Sequence, residues 1–189
     1  MKPPLIETER LIMRQWHETD HEPYARLNGN PDVMACLPHT LSRQESDARI
    51  RYFRSLIIRQ GWGVWALERK SDGAFIGSAG LMEPLSSHPF SPCIEIGWRL
   101  DLPYWGHGYA TEAANAALYA GFAHLGLPKI IAFTASANSA SRAVMRRIGM
   151  TDTRQDFSHP NIPADSPHHR YCVYAITHEA WETCDSHSG

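Results

Sequence analysis

The sequence of 189 residues contains few cysteines and no pattern that would pair them or bind a metal. The four cysteines, Cys36, Cys93, Cys172 and Cys184, are scattered without a C-x-x-C pair, which argues against a disulfide framework and a zinc knuckle. The eleven histidines include no H-E-x-x-H motif. We therefore expect four free thiols and no metal.

Long hydrophobic runs and a strong net charge are also missing. No segment approaches the roughly 18 apolar residues of a membrane span, and the N-terminus lacks the apolar stretch of a secretion signal. A net charge of −2 creates no field that would attract nucleic acid or a membrane surface. These absences predict a cytoplasmic protein that binds neither nucleic acid nor a membrane.

The sequence does have the composition of a globular protein, with 43% apolar and 20% charged residues. The elements predicted for its first half are a strand at 10–16, a helix at 22–27, a helix at 42–60 and a hairpin of strands at 62–69 and 74–82. Ser42 and Glu45 form a capping-box pattern at the start of the second helix, and Gly61 supplies its C-terminal cap.

The second half of the chain predicts alternating strands and helices. Its elements are a strand at 93–100, an Ala-rich helix at 109–125, a strand at 129–135, a helix at 139–148 and a strand at 169–176. A strand, a helix and a strand in succession predict a parallel crossover. The whole order, with early antiparallel strands and later βαβαβ units, predicts a mixed α/β sheet.

Residues 105–110, Trp-Gly-His-Gly-Tyr-Ala, lie between the strand at 93–100 and the Ala-rich helix. Gly106 and Gly108 let the backbone curl so that successive amides converge, and the helix N-terminus adds about half a positive charge at the same point. This 105–110 loop predicts a pyrophosphate site, although the glycines alone are equally compatible with a tight turn. Other phosphate-loop motifs and the G-x-S-x-G nucleophile elbow are absent.

Several segments together resemble one known family. W-G-H-G-Y-A-T-E-A after E-I-G-W-R-L resembles the acetyl-CoA loop of the GNAT acetyltransferases. E-T-E-R-L-I-M-R-Q-W, F-I-G-S-A-G-L, N-S-A-S-R-A-V-M-R-R-I-G-M and S-H-P…H-H-R-Y resemble the Rim-type branch of ribosomal-protein N-terminal acetyltransferases. The resemblance covers residues 5–181, which we expect to form one domain before a tail at 182–189. It implies an α/β fold with a splayed, mixed, mostly antiparallel sheet flanked by helices.

The resemblance also implies acetyl-CoA as co-substrate and indicates the residues that hold it. They are Trp98, Arg99 and Leu100 through backbone amides, the loop residues Trp105, Gly106, His107, Gly108, Tyr109, Ala110 and Thr111, and Asn138 and Ser141 at the start of the helix at 139–148. Trp105 stands where Arg or Gln is usual in the family, a departure that leaves the backbone amides untouched. From the residues alone, Asn138 is equally well explained as a helix cap.

Acylation of an amine by a thioester needs a base for the amine and a proton for the leaving thiolate. Glu95 is the candidate base because it is an acid in an otherwise apolar strand, and the alternative is that it pairs with Arg99 on the same face. Many GNAT enzymes carry a tyrosine seven residues after the helix-cap Asn, but this chain has Met145, which cannot donate a proton. By resemblance Ser141 replaces it, and the alternative is an ordinary helix serine.

The acceptor is constrained mainly by the resemblance, which places His159 and Tyr174 near it. The loops at 34–41, 83–92 and 156–167 are expected to select it. The leading hypothesis is an N-acetyltransferase acting on a protein N-terminus or a small-molecule amine, as a monomer or a homodimer. The alternative is a non-catalytic acyl-CoA-binding sensor or scaffold.

Overall fold

A computed structural model describes residues 5–84 and 90–185 of the chain. The chain forms two compact units, each built from two segments. The first unit comprises Met1–Leu81 and Gly97–Ala117, and the second comprises Met82–Ile96 and Leu118–Gly189.

The strands of the first unit pair with their neighbours in sequence. They are β1 (Ile6–Glu7), β2 (Leu11–Arg14), β3 (Val64–Arg69) and β4 (Phe75–Met82), with antiparallel pairing from β1 through to β4. The predicted hairpin is confirmed as β3 and β4, and the strand predicted at 10–16 is β2. The two-residue strand β1 gave no sequence signal because it is too short to show a period of two.

Three α-helices lie in the first segment of the first unit: α1 (His21–Gly29), α2 (Pro31–Met34) and α3 (Arg43–Gln60). The capping box of α3 is confirmed, since the Ser42 side chain accepts from the Glu45 amide and the Glu45 carboxylate accepts from the Ser42 amide. Gly61 ends the helix with a left-handed φ of 83°, as predicted. The short helix α2 was not predicted, because Asn30-Pro31 was interpreted as a break.

The core of the first unit is aromatic and contains one buried ion pair. Trp16 packs edge-on to Tyr24 with ring centroids 4.8 Å apart, and its indole N–H donates to the Val64 carbonyl at 2.8 Å. Arg14 binds Asp20 through two hydrogen bonds of 2.7 and 3.0 Å, and both residues are buried. Pairing of this kind is what makes a buried charge tolerable.

The strand β5 (Glu95–Leu100) contributes residues to both units. Its C-terminal end lies close to β4, because a Cβ on Gly77 would overlap the carbonyl oxygen of Arg99, and the Gly77 φ of 149° is itself open mainly to glycine. The helix α4 (Tyr109–Tyr119) follows β5 and continues as a π-type turn over Ala120–His124.

The second unit is built around β6 (Lys129–Ala135). Its remaining elements are α5 (Ser139–Arg147), β7 (Thr151–Asp152), β8 (Phe157–Ser158), β9 (Arg170–Thr177) and α6 (His178–Asp185). β6 is parallel to β5, so the predicted crossover is confirmed. β9 is antiparallel to β6, so the second strand–helix–strand unit is not a parallel crossover. The elements β7, β8 and α6 were not predicted.

The hydrogen-bonded order of the strands is β1–β2–β3–β4–β5–β6–β9–β7, with β8 beside β9. The fold is therefore the mixed α/β sheet that the sequence predicted. The predicted domain end at residue 181 falls inside α6, and the single-domain boundaries remain a prediction. Among the helices of the described residues, none is both long enough and apolar enough to cross a bilayer.

Candidate active site

The 105–110 loop lies where the sequence predicted it, between β5 and α4. The Trp105 indole N–H donates to the carbonyl of Leu100 at 2.8 Å, which ties the start of the loop to the end of the strand. Gly106 and Gly108 have φ angles of 78° and 83°, in the left-handed region that glycine adopts without strain. Two left-handed positions two residues apart fold the backbone back on itself before α4 begins.

The backbone N–H groups of residues 106–111 have no hydrogen-bond acceptor within the described residues. The first turn of any helix leaves such donors unpaired, and here the residue preceding the helix is Gly108, which has no side chain to accept from them. These amides lie at the positive end of the α4 dipole. Together they form a set of donors suited to an anion with several oxygens.

Two arginines contact tyrosines at either end of the loop. The guanidinium of Arg10 lies over the Tyr109 ring at 4.7 Å, and its Nη1 donates to the His107 carbonyl at 2.9 Å. The guanidinium of Arg69 lies over the Tyr104 ring at 5.0 Å. Asp72 and then the Tyr109 hydroxyl raise the pKa of Arg69. Neither arginine was predicted as a site residue, because each lies far from the loop in sequence.

Glu112, one turn into α4, anchors the loop to the N-terminal strands. Its carboxylate accepts from the Thr8 hydroxyl at 2.6 Å and from the Arg10 backbone and side chain at 2.8 and 2.7 Å. Burial alone would raise the pKa of Glu112, but these hydrogen bonds outweigh it and hold that pKa below the ordinary value. The carboxylate is therefore ionised and bound, and its charge is matched by Arg10.

Residues 98–100 form the C-terminal half of β5. Arg99 Nη1 donates to the Asn28 Oδ1 at 2.6 Å, and the Asn28 amide nitrogen donates to the Ser46 hydroxyl at 2.9 Å. Asn28 and Ser46 are fully buried. The guanidinium of Arg99 therefore donates to Asn28 on α1. The pairing of Arg99 with Glu95 that the sequence suggested stays a prediction.

The start of α5 is closed by its own cap. Asn138 Oδ1 accepts from the Ser141 amide at 3.1 Å, and its Nδ2 donates to the Thr134 hydroxyl at 3.1 Å. The helix-cap interpretation of Asn138 is confirmed, whereas its predicted cofactor contact stays a prediction. The Ser141 side chain is half-buried. Met145 is buried in the core at 2% exposure, and its thioether has no proton to donate.

The two candidate catalytic side chains lie on opposite faces of the second unit's strands. Glu95 is in register with Ile131 in a parallel pair, so both side chains project to the same face. The helix α5 covers the other face, since Asn138 bonds Thr134 and the Arg142 Nε donates to the Tyr174 hydroxyl at 3.4 Å. Ser141 therefore lies on the face away from Glu95, and a direct proton relay between the two is not available.

The two predicted acceptor contacts are separated in the same way. His159 packs against Tyr171 with ring centroids 4.8 Å apart and the rings tilted by 43°, and Tyr171 lies opposite Ala135 on the Glu95 face of the strands. Tyr174 is 3% exposed and projects to the α5 face, where its hydroxyl accepts from Arg142. The structure does not bring these two residues together.

A groove of about 620 Å³ lies within the second unit. Side chains on the Glu95 face, Ile131 and Val173, line it together with Phe90 and with one acid and one base, Glu83 and Lys129. The groove is therefore largely apolar and carries no net charge from these two side chains.

The free-thiol prediction is confirmed for Cys36, Cys93 and Cys172, and the side chain of Cys184 lies outside the described residues. Burial raises the pKa of all three thiols, and the neighbouring Glu95 charge adds to the effect at Cys93. Although Cys93 lines the groove, its raised pKa keeps it a neutral thiol and makes it a poor nucleophile.

Comparison with known proteins gives consistent findings. Residues 10–151 match the family model described as an acetyltransferase (GNAT) domain. The chain is similar to the FsC-acetyl coenzyme A-N(2)-transacetylase of Aspergillus fumigatus, with 29% identity over 185 residues that cover 94% of this chain and 78% of that protein. It is also similar to the uncharacterized N-acetyltransferase YnaD of Bacillus subtilis, with 29% identity over 93% of this chain and 98% of YnaD.

Among solved structures, the acetyltransferase (GNAT family) from Bacillus anthracis superposes with a TM-score of 0.75. It is 26% identical to this chain, and the alignment covers 93% of this chain and 99% of that one.

Proposed function

The chain belongs to the acetyltransferase (GNAT) domain family, and from that membership we propose that it transfers the acetyl group of acetyl-CoA to a primary amine of a protein N-terminus or a small molecule. The observation that carries the proposal is the set of unpaired backbone amides at residues 106–111, at the positive end of α4. The name of the Aspergillus relative supports a nitrogen acceptor, since it specifies an N(2)-transacetylase that uses acetyl coenzyme A.

The residues present fit the diphosphate part of coenzyme A. The left-handed φ angles of Gly106 and Gly108 would allow several amides to face one anion, and Gly108 has no side chain to cap the start of α4. The residues that would hold the pyrophosphate are those of the 105–110 loop with Thr111. Backbone amides of residues 98–100 are proposed for the pantetheine arm, as in the family.

Acetyl-CoA would supply an activated acetyl carbon, and side chains of the protein would transfer two protons. Glu95 is the proposed base that takes a proton from the attacking amine, directly or through water. Ser141 is the proposed donor that returns a proton to the thiolate, directly or through water. Glu95 and Ser141 lie on opposite faces of the strands. Glu95 would therefore handle only the amine proton, and Ser141 only the proton of the thiolate.

The groove of the second unit favours an acceptor that is partly apolar. Ile131, Val173 and Phe90 supply apolar surface, while Glu83 and Lys129 balance each other in charge. A polycationic acceptor would find no acidic patch there. Of the two predicted acceptor contacts, His159 shares a face with Glu95 and keeps this role in the proposal.

The direct test is release of coenzyme A from acetyl-CoA in the presence of an acceptor panel. The panel contains peptides with different N-terminal residues, in line with the Rim-type resemblance, and small amines with and without apolar groups. We expect turnover with at least one acceptor class and none with acetyl-CoA alone. Tight binding of acetyl-CoA without turnover on the whole panel would favour the sensor or scaffold alternative.

Glu95→Gln tests the base within the same assay. A general base contributes about 10²-fold to 10⁴-fold, so the variant should lose that much in kcat. In the unmodified protein the rate should fall with decreasing pH as Glu95 takes up a proton, and this acid limb should disappear in the variant. An unchanged acid limb in Glu95→Gln would remove Glu95 from the mechanism. Ser141→Ala is the companion variant for the proton donor.

A further inference from the structure

Arg10 precedes β2, yet its side chain is fixed on the 105–110 loop. Its Nη1 donates to the His107 carbonyl at 2.9 Å, and its Nε donates to Glu112 at 2.7 Å. Its guanidinium carbon lies 4.7 Å from the centre of the Tyr109 ring. The cation therefore contacts both the middle of the loop and the first turn of α4, from 97 residues away in sequence.

One nitrogen of this guanidinium is left unused. Among the described residues, Arg10 Nη2 has no hydrogen-bond acceptor. It lies 3.3 Å from the point that a Cβ on Gly108 would occupy, so it borders the backbone whose amides are also unpaired. The Arg10 side chain is 42% exposed and can be reached by a ligand.

Glu112 explains why the nitrogen is free. It occupies the Nε edge of the guanidinium and the backbone N–H of the same residue, at 2.7 and 2.8 Å. Glu112 Oε2 accepts from Nε, and Glu112 Oε1 accepts from the Arg10 backbone N–H and the Thr8 hydroxyl, so both carboxylate oxygens are already used by donors other than Nη2. The Glu112 side chain is 15% exposed, and Thr8 donates to it as well, so the carboxylate is itself fixed.

We propose that Arg10 is a ligand of the coenzyme A pyrophosphate, with Nη2 donating beside the loop amides and Glu112 acting as its positioning residue. The inference rests on the proposed function, because the loop must bind coenzyme A for Arg10 to contact it. A guanidinium whose Nη2 N–H groups are free matches a phosphate oxygen in charge and as a hydrogen-bond donor. Arg10 lies in the segment E-T-E-R-L-I-M-R-Q-W, but that segment did not indicate a contact with a loop 97 residues away.

The test compares the affinity of coenzyme A and of 3′-dephospho-coenzyme A for the full chain and for Arg10→Gln, measured by calorimetry. Loss of one charge-assisted hydrogen bond predicts about 10-fold to 100-fold weaker binding of both ligands. A loss confined to coenzyme A would place Arg10 on the 3′-phosphate and overturn the proposal. Arg10→Lys keeps the positive charge but loses the planar guanidinium. Its affinity for both ligands should therefore lie between those of the unmodified chain and of Arg10→Gln.

Arg54→Gln is the matched control. Arg54 is an arginine of the first unit with a similarly exposed side chain, 37%, and a glutamate partner, Glu18, but it is remote from the loop in its contacts. Its replacement should leave both affinities unchanged. If the unmodified chain binds coenzyme A and Arg10→Gln binds it equally well, the Arg10 proposal alone fails. If the unmodified chain binds neither ligand, the proposed function fails.

The positioning role of Glu112 is tested by a double-mutant cycle. Glu112→Gln should weaken coenzyme A binding several-fold in the unmodified background. In the Arg10→Gln background the same change should have no further effect, because Glu112 acts through Arg10. Equal losses in both backgrounds would show that Glu112 acts independently, which a purely structural role in α4 would also produce.

Discussion

The helices α3 and α5 begin with side-chain caps, whereas α4 begins with none. Ser42 and Glu45 satisfy each other's amides at the start of α3, and Asn138 accepts from the Ser141 amide at the start of α5. The residue before α4 is Gly108, and the amides of residues 106–111 have no acceptor within the described residues.

The capped helix starts contribute to stability, whereas the uncapped start of α4 is suited to binding a ligand. A side-chain cap is worth about 1 kcal/mol of stability, and α4 does without that contribution. It is held instead by contacts on its flank, from Arg10 and Thr8 to Glu112. A helix start that is left open, yet rigidly held by distant residues, is the arrangement an anion site requires.

Closing the approach to the α4 start should have the largest effect. Gly108→Val places a branched side chain beside the loop amides, and we expect coenzyme A to bind about 10-fold to 100-fold more weakly, as for one lost hydrogen bond to a charged group. The left-handed φ of 83° adds a stability cost of about 1–2 kcal/mol. Calorimetric affinity and the thermal midpoint separate the two effects, and unchanged affinity would contradict the loop assignment.

Opening the α5 start should act on stability instead. Asn138→Ala removes the cap and the bond to Thr134, and we expect a loss of about 1 kcal/mol in the free energy of unfolding. Ser42→Ala at α3 is the matched control, with a similar loss and no change in coenzyme A affinity. A large loss of affinity in Asn138→Ala with unchanged stability would instead support the predicted cofactor contact.

The smallest effect concerns the flank of α4 and depends on pH. Glu112→Gln keeps the shape but loses the charge, and should cost about 0.5 kcal/mol near neutral pH. Because hydrogen bonds hold the folded-state pKa of Glu112 below its ordinary value, the stabilisation by Glu112 is complete above the unfolded pKa and is lost as the pH falls through the folded-state pKa. Thermal midpoints of both proteins from pH 3 to pH 7 should therefore converge in acid. A constant difference would contradict the ion pair.

Local signals in the sequence predicted several elements of the fold. The capping box of α3, the Asp-Gly hairpin of β3 and β4, and the parallel crossover from β5 to β6 were all confirmed. The short strands β7 and β8 were missed because two residues show no periodicity, and both form only by pairing with β9.

In the candidate site, too, some features were predicted from the sequence and others were not. The position of the 105–110 loop was evident from residue types and spacing, and the resemblance to the family indicated that Met145 stands where a tyrosine is usual. The separation of Glu95 from Ser141, and of His159 from Tyr174, was not, because it depends on which residues of β5, β6 and β9 are in register. A shift of one residue in that register would reverse the faces.

The sequence by itself determined the family, the mixed α/β order and the glycine loop before α4, because each is encoded by residues that are close together in sequence. Only the tertiary structure decided that Arg10 and Glu112 hold that loop, and that Asn138 closes α5 while Gly108 leaves α4 open. The physical reason is distance along the chain. A turn is encoded by the few residues within it, whereas an ion pair 102 residues apart forms only after the strands and helices have packed.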